Sequence, residues 1–227
     1  MGTPASITVI IPSLNEEASI RASVASALAG AAEVIVVDGG STDATVALAR
    51  GAGARVVSAP RGRAVQMEAG VAGASGEWLV FLHADTCLQP GWADALHGLD
   101  ARVAGGAFRL ALDSPRLRYR LVEAAVRLRC AILKLPYGDQ GIFARRSSLG
   151  AAGAFRDVPI LEDVDLARRL RRQGRLAFPP VRAVTSARRW EERGFWRTTL
   201  VNGCVMALAA AGWPRERLAR LYGGRGT

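Results

Sequence analysis

Residues 77–86 read EWLVFLHADT, and the fold turns on them. Leu79, Val80, Phe81 and Leu82 form an unbroken apolar run with turn residues on both sides. That is the pattern of a strand buried on both faces. The run delivers His83 and Asp85 at its exit. In open parallel sheets ligands sit beyond the carboxyl ends of the strands, so Asp85 stands where a ligand-binding carboxylate belongs. The plainer alternative is that Asp85 caps a turn.

The chain before this stretch repeats the pattern. Residues 6–11, SITVII, form a β-branched run closed by Pro12, a first strand. Ser13-Leu14-Asn15-Glu16 has capping-box spacing and predicts a helix to about Leu28. Residues 33–37 predict a second buried strand, ending in Asp38-Gly39-Gly40-Ser41-Thr42-Asp43. The paired glycines allow a tight turn or the close approach of a ligand. Ser41 or Thr42 can cap a helix to Arg50. Residues 55–58 predict a third strand, and Arg61-Gly62-Arg63 opens a helix to about Ala74. Strands and helices alternate with short connections. The fold class is therefore α/β, a doubly wound, mostly parallel sheet flanked by helices.

After Pro90, an N1-type proline, a short helix is expected to about Leu99. Residues 105–112 alternate like a strand. Residues 115–135 read as a long helix carrying Arg116, Arg118, Arg120, Arg127, Arg129 and Lys134. A short strand at 141–144, a helix at 162–173, a strand at 182–186 and a helix at 195–211 complete the reading. No repeat or low-complexity linker interrupts it. Residues 1–112 and 113–227 are expected to form two halves of one compact domain, the second mixed in character.

The 227 residues are half apolar, enough for a sizeable core. Cys87, Cys130 and Cys204 form no CxxC pair and no zinc spacing. Their odd number argues against a disulfide framework and for a reducing cytoplasm. Residues 1–6 are uncharged and lead straight into a strand, unlike a signal peptide. Residues 1–113 hold 7 arginines and 11 acids, a net −4, while residues 114–227 hold 23 basic residues and 9 acids, a net +14. A basic half suits an anionic partner; genomic arginine bias explains the choice of Arg but not the asymmetry. Residues 198–214 are uncharged but short for a membrane span, and a core helix is the simpler reading. With the Arg-studded helix they could instead lie on an anionic bilayer at the inner face of the membrane, which would fit a lipid-linked acceptor.

Three strand exits, carrying Pro12-Ser13-Leu14-Asn15-Glu16, Asp38 and His83-Ala84-Asp85, share one predicted sheet edge. This is a nucleotide-site layout without G-x-G-x-x-G or a Walker lysine, which disfavours a dehydrogenase or P-loop enzyme. PSLNE, VVDGGSTD, HAD, GDQGIFARR and LEDVDLARRL, in this order, resemble a family 2 inverting glycosyltransferase of the GT-A fold. GDQG and SARRW further resemble a bacterial radical-SAM-associated subgroup. The resemblance implies a UDP- or GDP-linked sugar donor, a hydroxyl acceptor, a divalent cation (Mn2+ or Mg2+) and no nucleic acid. It implies that Asp38 contacts the base or ribose, with Pro12, Asn15, Glu16, Gly40, Arg63 and Ala84 around the nucleotide. Asp85 would be the metal carboxylate of a D-x-D motif and Asp163 the catalytic base, with Glu162 beside it.

Two departures stand out. Gly39 replaces the second Asp of the common DDGS, and His83 replaces the first Asp of D-x-D. His83 as a ligand would favour Mn2+ over Mg2+; otherwise it is a satisfied core histidine. Read from the residues alone, Glu162, Asp163 and Asp165 also suit a helix start for dipole reasons. Asp139 and Gln140 are candidates for positioning the acceptor or their loop. Arg188, Arg189 and Trp190 offer cations for phosphate and a ring for stacking. A sugar-phosphate nucleotidyltransferase is the enzymatic rival, though PSLNE lacks a basic glycine-rich loop. A basic protein binding nucleic acid or membrane is the non-enzymatic one.

Overall fold

A computed structural model describes residues 5–150, 154–155 and 158–223; the first four residues of the uncharged start lie outside the described residues. Alternation along the strands explains the architecture. The chain runs β1 (Ile7–Ser13), α1 (Ile20–Leu28), β2 (Glu33–Asp38), α2 (Thr45–Gly51), β3 (Arg55–Ser58), α3 (Arg63–Gly73) and β4 (Trp78–Phe81). Val9, Ile11, Val34, Val36 and Val80 pack with Ile20, Val24 and Ala27 of α1. Their neighbours Ile10, Ile35, Val37, Leu79 and Phe81 pack with Ala64 and Met67 of α3 on the opposite face. Each fully buried Val, Ile or Leu is worth roughly 1.5–3 kcal/mol, so the two-faced apolar pattern drives the layering. Gly70 lets α3 approach the sheet: a Cβ there would sit 2.3 Å from Ile10 Cγ2.

The remaining elements are β5 (Thr86–Leu88), α4 (Trp92–His97), β6 (Val103–Ala107), β7 (Arg109–Asp113), α5 (Leu117–Leu133), β8 (Ile142–Arg145), α6 (Glu162–Gln173), β9 (Arg175–Ala177), β10 (Arg182–Ser186), α7 (Arg188–Arg193), α8 (Phe195–Ala210) and α9 (Arg215–Tyr222). The main sheet has the order β3-β2-β1-β4-β8-β6-β9, and a second has the order β5-β10-β7. β1, β2, β3 and β4 are mutually parallel, and β8 runs antiparallel to β4 and β6. β2 and β4 flank β1 on opposite sides, so the chain leaves these strands in diverging directions and opens a cleft at their carboxyl edge.

Several local expectations are corrected. The capping box at Ser13-Leu14-Asn15-Glu16 does not form: Ser13 ends β1, Asn15 is left-handed (φ 53°), and α1 starts only at Ile20. The cause is tertiary. The Asn15, Glu16 and Glu17 N–H groups donate to Ser41 Oγ, Thr45 Oγ1 and Asp43 Oδ2 at 2.9, 2.8 and 3.2 Å. Ser41 and Thr42 likewise do not cap α2; Asp43 Oδ1 takes the Thr45 N–H at 2.9 Å. Pro90 is not at N1, since Gly91 is the N-cap of α4. The expected strand at 105–112 is two strands in two sheets, broken at Phe108, whose N–H donates to Gln140 O at 3.0 Å. β5, β9, α7 and α9 were not legible in the sequence. Cys87, Cys130 and Cys204 are free. Among the described residues no helix is long and apolar enough to cross a membrane.

Candidate active site

The carboxyl edge of β1, β2 and β4 gathers the site. Ser13 is in register with Asp38, and Asp38 with Ser58, so the strand ends are level. Asp38 is buried, and its loop turns back onto it: Gly40 N–H donates to Oδ2 at 3.0 Å and Ser41 N–H at 3.1 Å. Gly40 makes this turn at φ 94°, where glycine carries no steric penalty. From α3, buried Gln66 donates through Nε2 to Ser13 O (2.8 Å) and Val37 O (2.7 Å), tying the ends of β1 and β2 together. A Cβ on Gly39 would lie 3.0 Å from that nitrogen. Gly39, where the family's common motif has a second Asp, thus leaves room for the Gln66 clamp. Gln66 carries no motif, and sequence reasoning missed it.

Beyond β4 the backbone folds under itself: Thr86 N–H and Ser23 Oγ both donate to His83 O. Ser186 N–H donates to Asp85 O at 3.1 Å, and Thr86 pairs with Thr185, so β10 fixes where Asp85 emerges. Ala84 between them is buried core and can offer a ligand only its backbone. Burial, helped by the Arg63 and Arg189 guanidiniums, pushes the His83 imidazole down to about 3. His83 is therefore neutral at physiological pH and able to accept a hydrogen bond or ligate a cation.

Gly138 lies between His83 and α6. A Cβ there would meet His83 Nε2 at 2.7 Å and Asp163 Oδ2 at 3.5 Å. Gly138 N–H donates to Asp163 Oδ2 at 2.6 Å, and Val164 N–H to Oδ1 at 2.7 Å. Leu161, the N-cap of α6, is left-handed (φ 66°), a strained state for a side chain of its size. It swings Glu162 and Asp163 into the cleft. Glu162 is buried and pairs with Arg63 (3.3 Å). Burial opposes the Arg63 charge, yet Glu162, Tyr222 and Asp163 outweigh it and raise the guanidinium pKa. Burial, then the Glu162 charge, pushes Asp163 up to about 7 against the two N–H bonds and Arg63. Glu162 is thus committed to an ion pair, while Asp163 can take up a proton near neutrality.

Asp139 also faces this region. Its Oδ1 is buried without a partner, and burial raises its pKa, with Asp85 adding to the rise and Arg129 opposing it. Gln140 is structural: Nε2 donates to Phe108 O, and Oε1 takes the Tyr137 N–H. Arg188 pairs with Glu16 at 3.2 Å across the strand ends, and Arg189 stacks on Tyr222 (3.9 Å) close enough to act on His83. Trp190 is not the open stacking ring the sequence suggested. It is buried with Leu112, Tyr119, Ala187 and Phe195. Asn15 Oδ1 takes the Thr42 N–H, so its side chain shapes the loop, and Pro12 sits one position inside the strand end.

A family model, glycosyl transferase family 2, matches residues 8–122, half of the chain. The chain belongs to glycosyl transferase family 2. The match takes in Asp38, His83 and Asp85 and stops within α5, before Asp139 and Asp163. A comparison with curated protein sequences gives no match. Among solved structures, the glycosyltransferase is similar to glucosyl-3-phosphoglycerate synthase from Mycobacterium tuberculosis in complex with Mg2+ and UDP. Identity is 24%, the TM-score 0.57, and the alignment covers 80% of this chain and 70% of that one. It is also similar to S. aureus TarS 1-349 in complex with UDP-GlcNAc, with 17% identity, TM-score 0.61, and 80% and 58% of the two chains covered. These likenesses show the fold: the α/β sheet of this glycosyltransferase is of the GT-A type. With the family, the reading as a non-enzymatic basic protein gives way to that of a transferase.

Proposed function

We propose that the protein transfers a sugar from a nucleoside diphosphate, UDP or GDP, to a hydroxyl acceptor, with inversion. The observation that carries this reading is the placement of Asp163. It lies across Gly138 from His83, on the edge where Asp38 and Asp85 emerge, with its carboxyl raised to about 7. Residues 1–112 would hold the donor and residues 113–227 the acceptor and base. Asp38 would receive the base or ribose, with the loop N–H groups fixing its orientation. Arg63, Arg188 and Arg189 supply cations around the phosphates. Asp163 would accept the acceptor hydroxyl's proton as its oxygen bonds to the anomeric carbon and the sugar–phosphate bond breaks. Attack from the face opposite the leaving diphosphate inverts that carbon.

A divalent cation fits this edge. Asp139 Oδ1 is buried and unpartnered within the field of Asp85, where a cation would offset the acidic charge. Among the described residues no three His, Cys, Asp or Glu side chains converge as a metal site, so diphosphate oxygens would have to complete the shell. Asp85, with neutral His83 two residues before it, would hold the ion, and the ion's charge would also offset the unpartnered Asp139. When bound, Mn2+ or Mg2+ would neutralise charge developing on the departing diphosphate. The crystallised relative bound to Mg2+ and UDP supports this assignment.

The test is calorimetry of UDP, GDP and their sugar conjugates with and without Mn2+. Cation-dependent binding of one nucleotide is expected. If no nucleotide binds under either condition, the proposal fails.

A further inference from the structure

α5 and α8 meet at their starts, where the Tyr119 and Phe195 rings lie 5.6 Å apart. At their far ends Leu133 of α5 and Ala207 of α8 line one cavity of about 310 Å³, with Trp213 on its rim. The two helices are thereby joined at both ends.

Their exposed surfaces are apolar where a soluble surface should not be. Leu117, Leu121, Leu128 and Ile132 recur at helical spacing along α5 and are 81, 72, 60 and 68% exposed. Trp196 and Leu200 begin a second stripe on α8, 76 and 65% exposed, which continues through Gly203 and Ala207 to the cavity. Single exposed apolar residues need no explanation, but two exposed stripes that end at one cavity, lined mostly by apolar side chains with Arg129, Arg168 and Arg215, do. The flanks are cationic: Arg116, Arg118, Arg127 and Lys134 are exposed, while Arg120 and Arg129 turn inward and Arg120 pairs with Glu123, the lone acid of residues 114–135. Arg197 borders the second stripe and Arg217 and Arg220 of α9 lie exposed beyond it.

We propose that this surface docks on an anionic bilayer, with Trp196 and Trp213 at the interface and the cavity open to lipid chains. Apolar stripes with basic borders match the charge and depth of a lipid headgroup layer. A nucleic acid would use the cations but leave the leucines in water. Neither helix is long and apolar enough to span, so the contact is peripheral. The cavity also touches the proposed site. Val164 and Tyr137 line it, and their neighbours Asp163 and Gly138 form the 2.6 Å hydrogen bond. Resting on the transferase reading, the proposal assigns the hydroxyl acceptor to membrane lipids.

The test uses the full chain and vesicles of phosphatidylcholine, alone or with phosphatidylglycerol. Sedimentation with the anionic vesicles, weakened by salt, is expected. Leu121→Glu with Leu128→Glu should weaken it by about tenfold or more. Vesicles whose acyl chains carry bromine should quench the tryptophan emission, and Trp196→Phe with Trp213→Phe should remove that quenching. Vesicle binding indifferent to the leucine changes, no quenching by bromolipid, or tighter binding to an RNA homopolymer than to anionic vesicles would each overturn the proposal. UDP calorimetry on the same variants should be unchanged. It reads the nucleotide site alone, so failure there and failure at the bilayer are distinguishable.

Discussion

Asp163 receives the backbone N–H of Gly138 at 2.6 Å, from a glycine 25 residues earlier in the chain. With the Val164 N–H on its other oxygen, the bond holds the carboxylate beside His83. Loss of the proton-accepting group should be severe: general-base assistance is typically worth ~10²–10⁴-fold. Asp163→Asn is expected to lower single-turnover transfer by that order and to spare donor affinity. Glu162→Gln should cost less, since Glu162 is committed to Arg63. Near-normal transfer by Asp163→Asn would move the assignment to Asp139.

The pH dependence follows from the same group. Asp163 ionises near 7 in the fold and about 4 in an unfolded chain. Transfer should therefore rise with pH through about 7, on a limb absent from any residual activity of Asp163→Asn. Stability runs the other way. Between about 4 and 7 the folded protein binds the extra proton, so stability falls as pH climbs through this window. Asp163→Asn should flatten that fall, as thermal melts at about pH 5, inside the window, and about pH 8, above it, would reveal. Parallel pH profiles for both proteins would contradict it.

Gly138→Ala isolates geometry from charge. The added methyl would meet His83 Nε2 at 2.7 Å, so the Gly138 loop must shift. Displacing a catalytic group by ~1 Å can cost about 10²-fold. A large drop in kcat with donor affinity retained is expected, and an unaltered kcat would show that the His83–Gly138–Asp163 contact is slack.

Asp38→Ala should act twice. It removes the acceptor for the Gly40 and Ser41 N–H groups, at roughly 1–3 kcal/mol of stability. It should also weaken nucleotide binding by about tenfold. Calorimetry alongside melts separates the two effects. Reduced stability with full nucleotide affinity would leave Asp38 a loop anchor only.

For the cation, Asp85→Asn and chelation should each weaken donor binding, and chelation of the variant should add little. Additive losses would place the ion elsewhere.

Trp190 was read as a stacking ring and lies in a core instead. Trp190→Ala should destabilise by ~3–5 kcal/mol, whereas Trp190→Phe should keep donor affinity and transfer. Loss of activity in a stable Trp190→Phe protein would restore a role at the site.

What could be read in advance divides along physical lines. The strands of the first half were legible because runs such as VIVV and LVFL are apolar on both faces and admit one environment. The carboxylates at their exits followed from the sheet type. The Ser13–Glu16 turn misled because its N–H groups are satisfied by side chains 26–29 residues away, which no local spacing records. Gln66 and Gly138 were hidden for the same reason: their roles lie in partners that only the assembled sheet brings near. β5 and β9 have three residues each, too few to establish a period.

Arg215, at the start of α9, donates to Ile160 O and pairs with Asp165 at 2.7 Å, straddling the strained Leu161 turn. During synthesis the strands that form the nucleotide edge emerge first, and domains fold as their chain becomes available. A chain interrupted before α9 would carry that edge complete while the turn bearing Asp163 still lacked its clasp. Donor capture and acceptor activation would then mature at different moments. The protein would hold its nucleotide before it could spend the sugar.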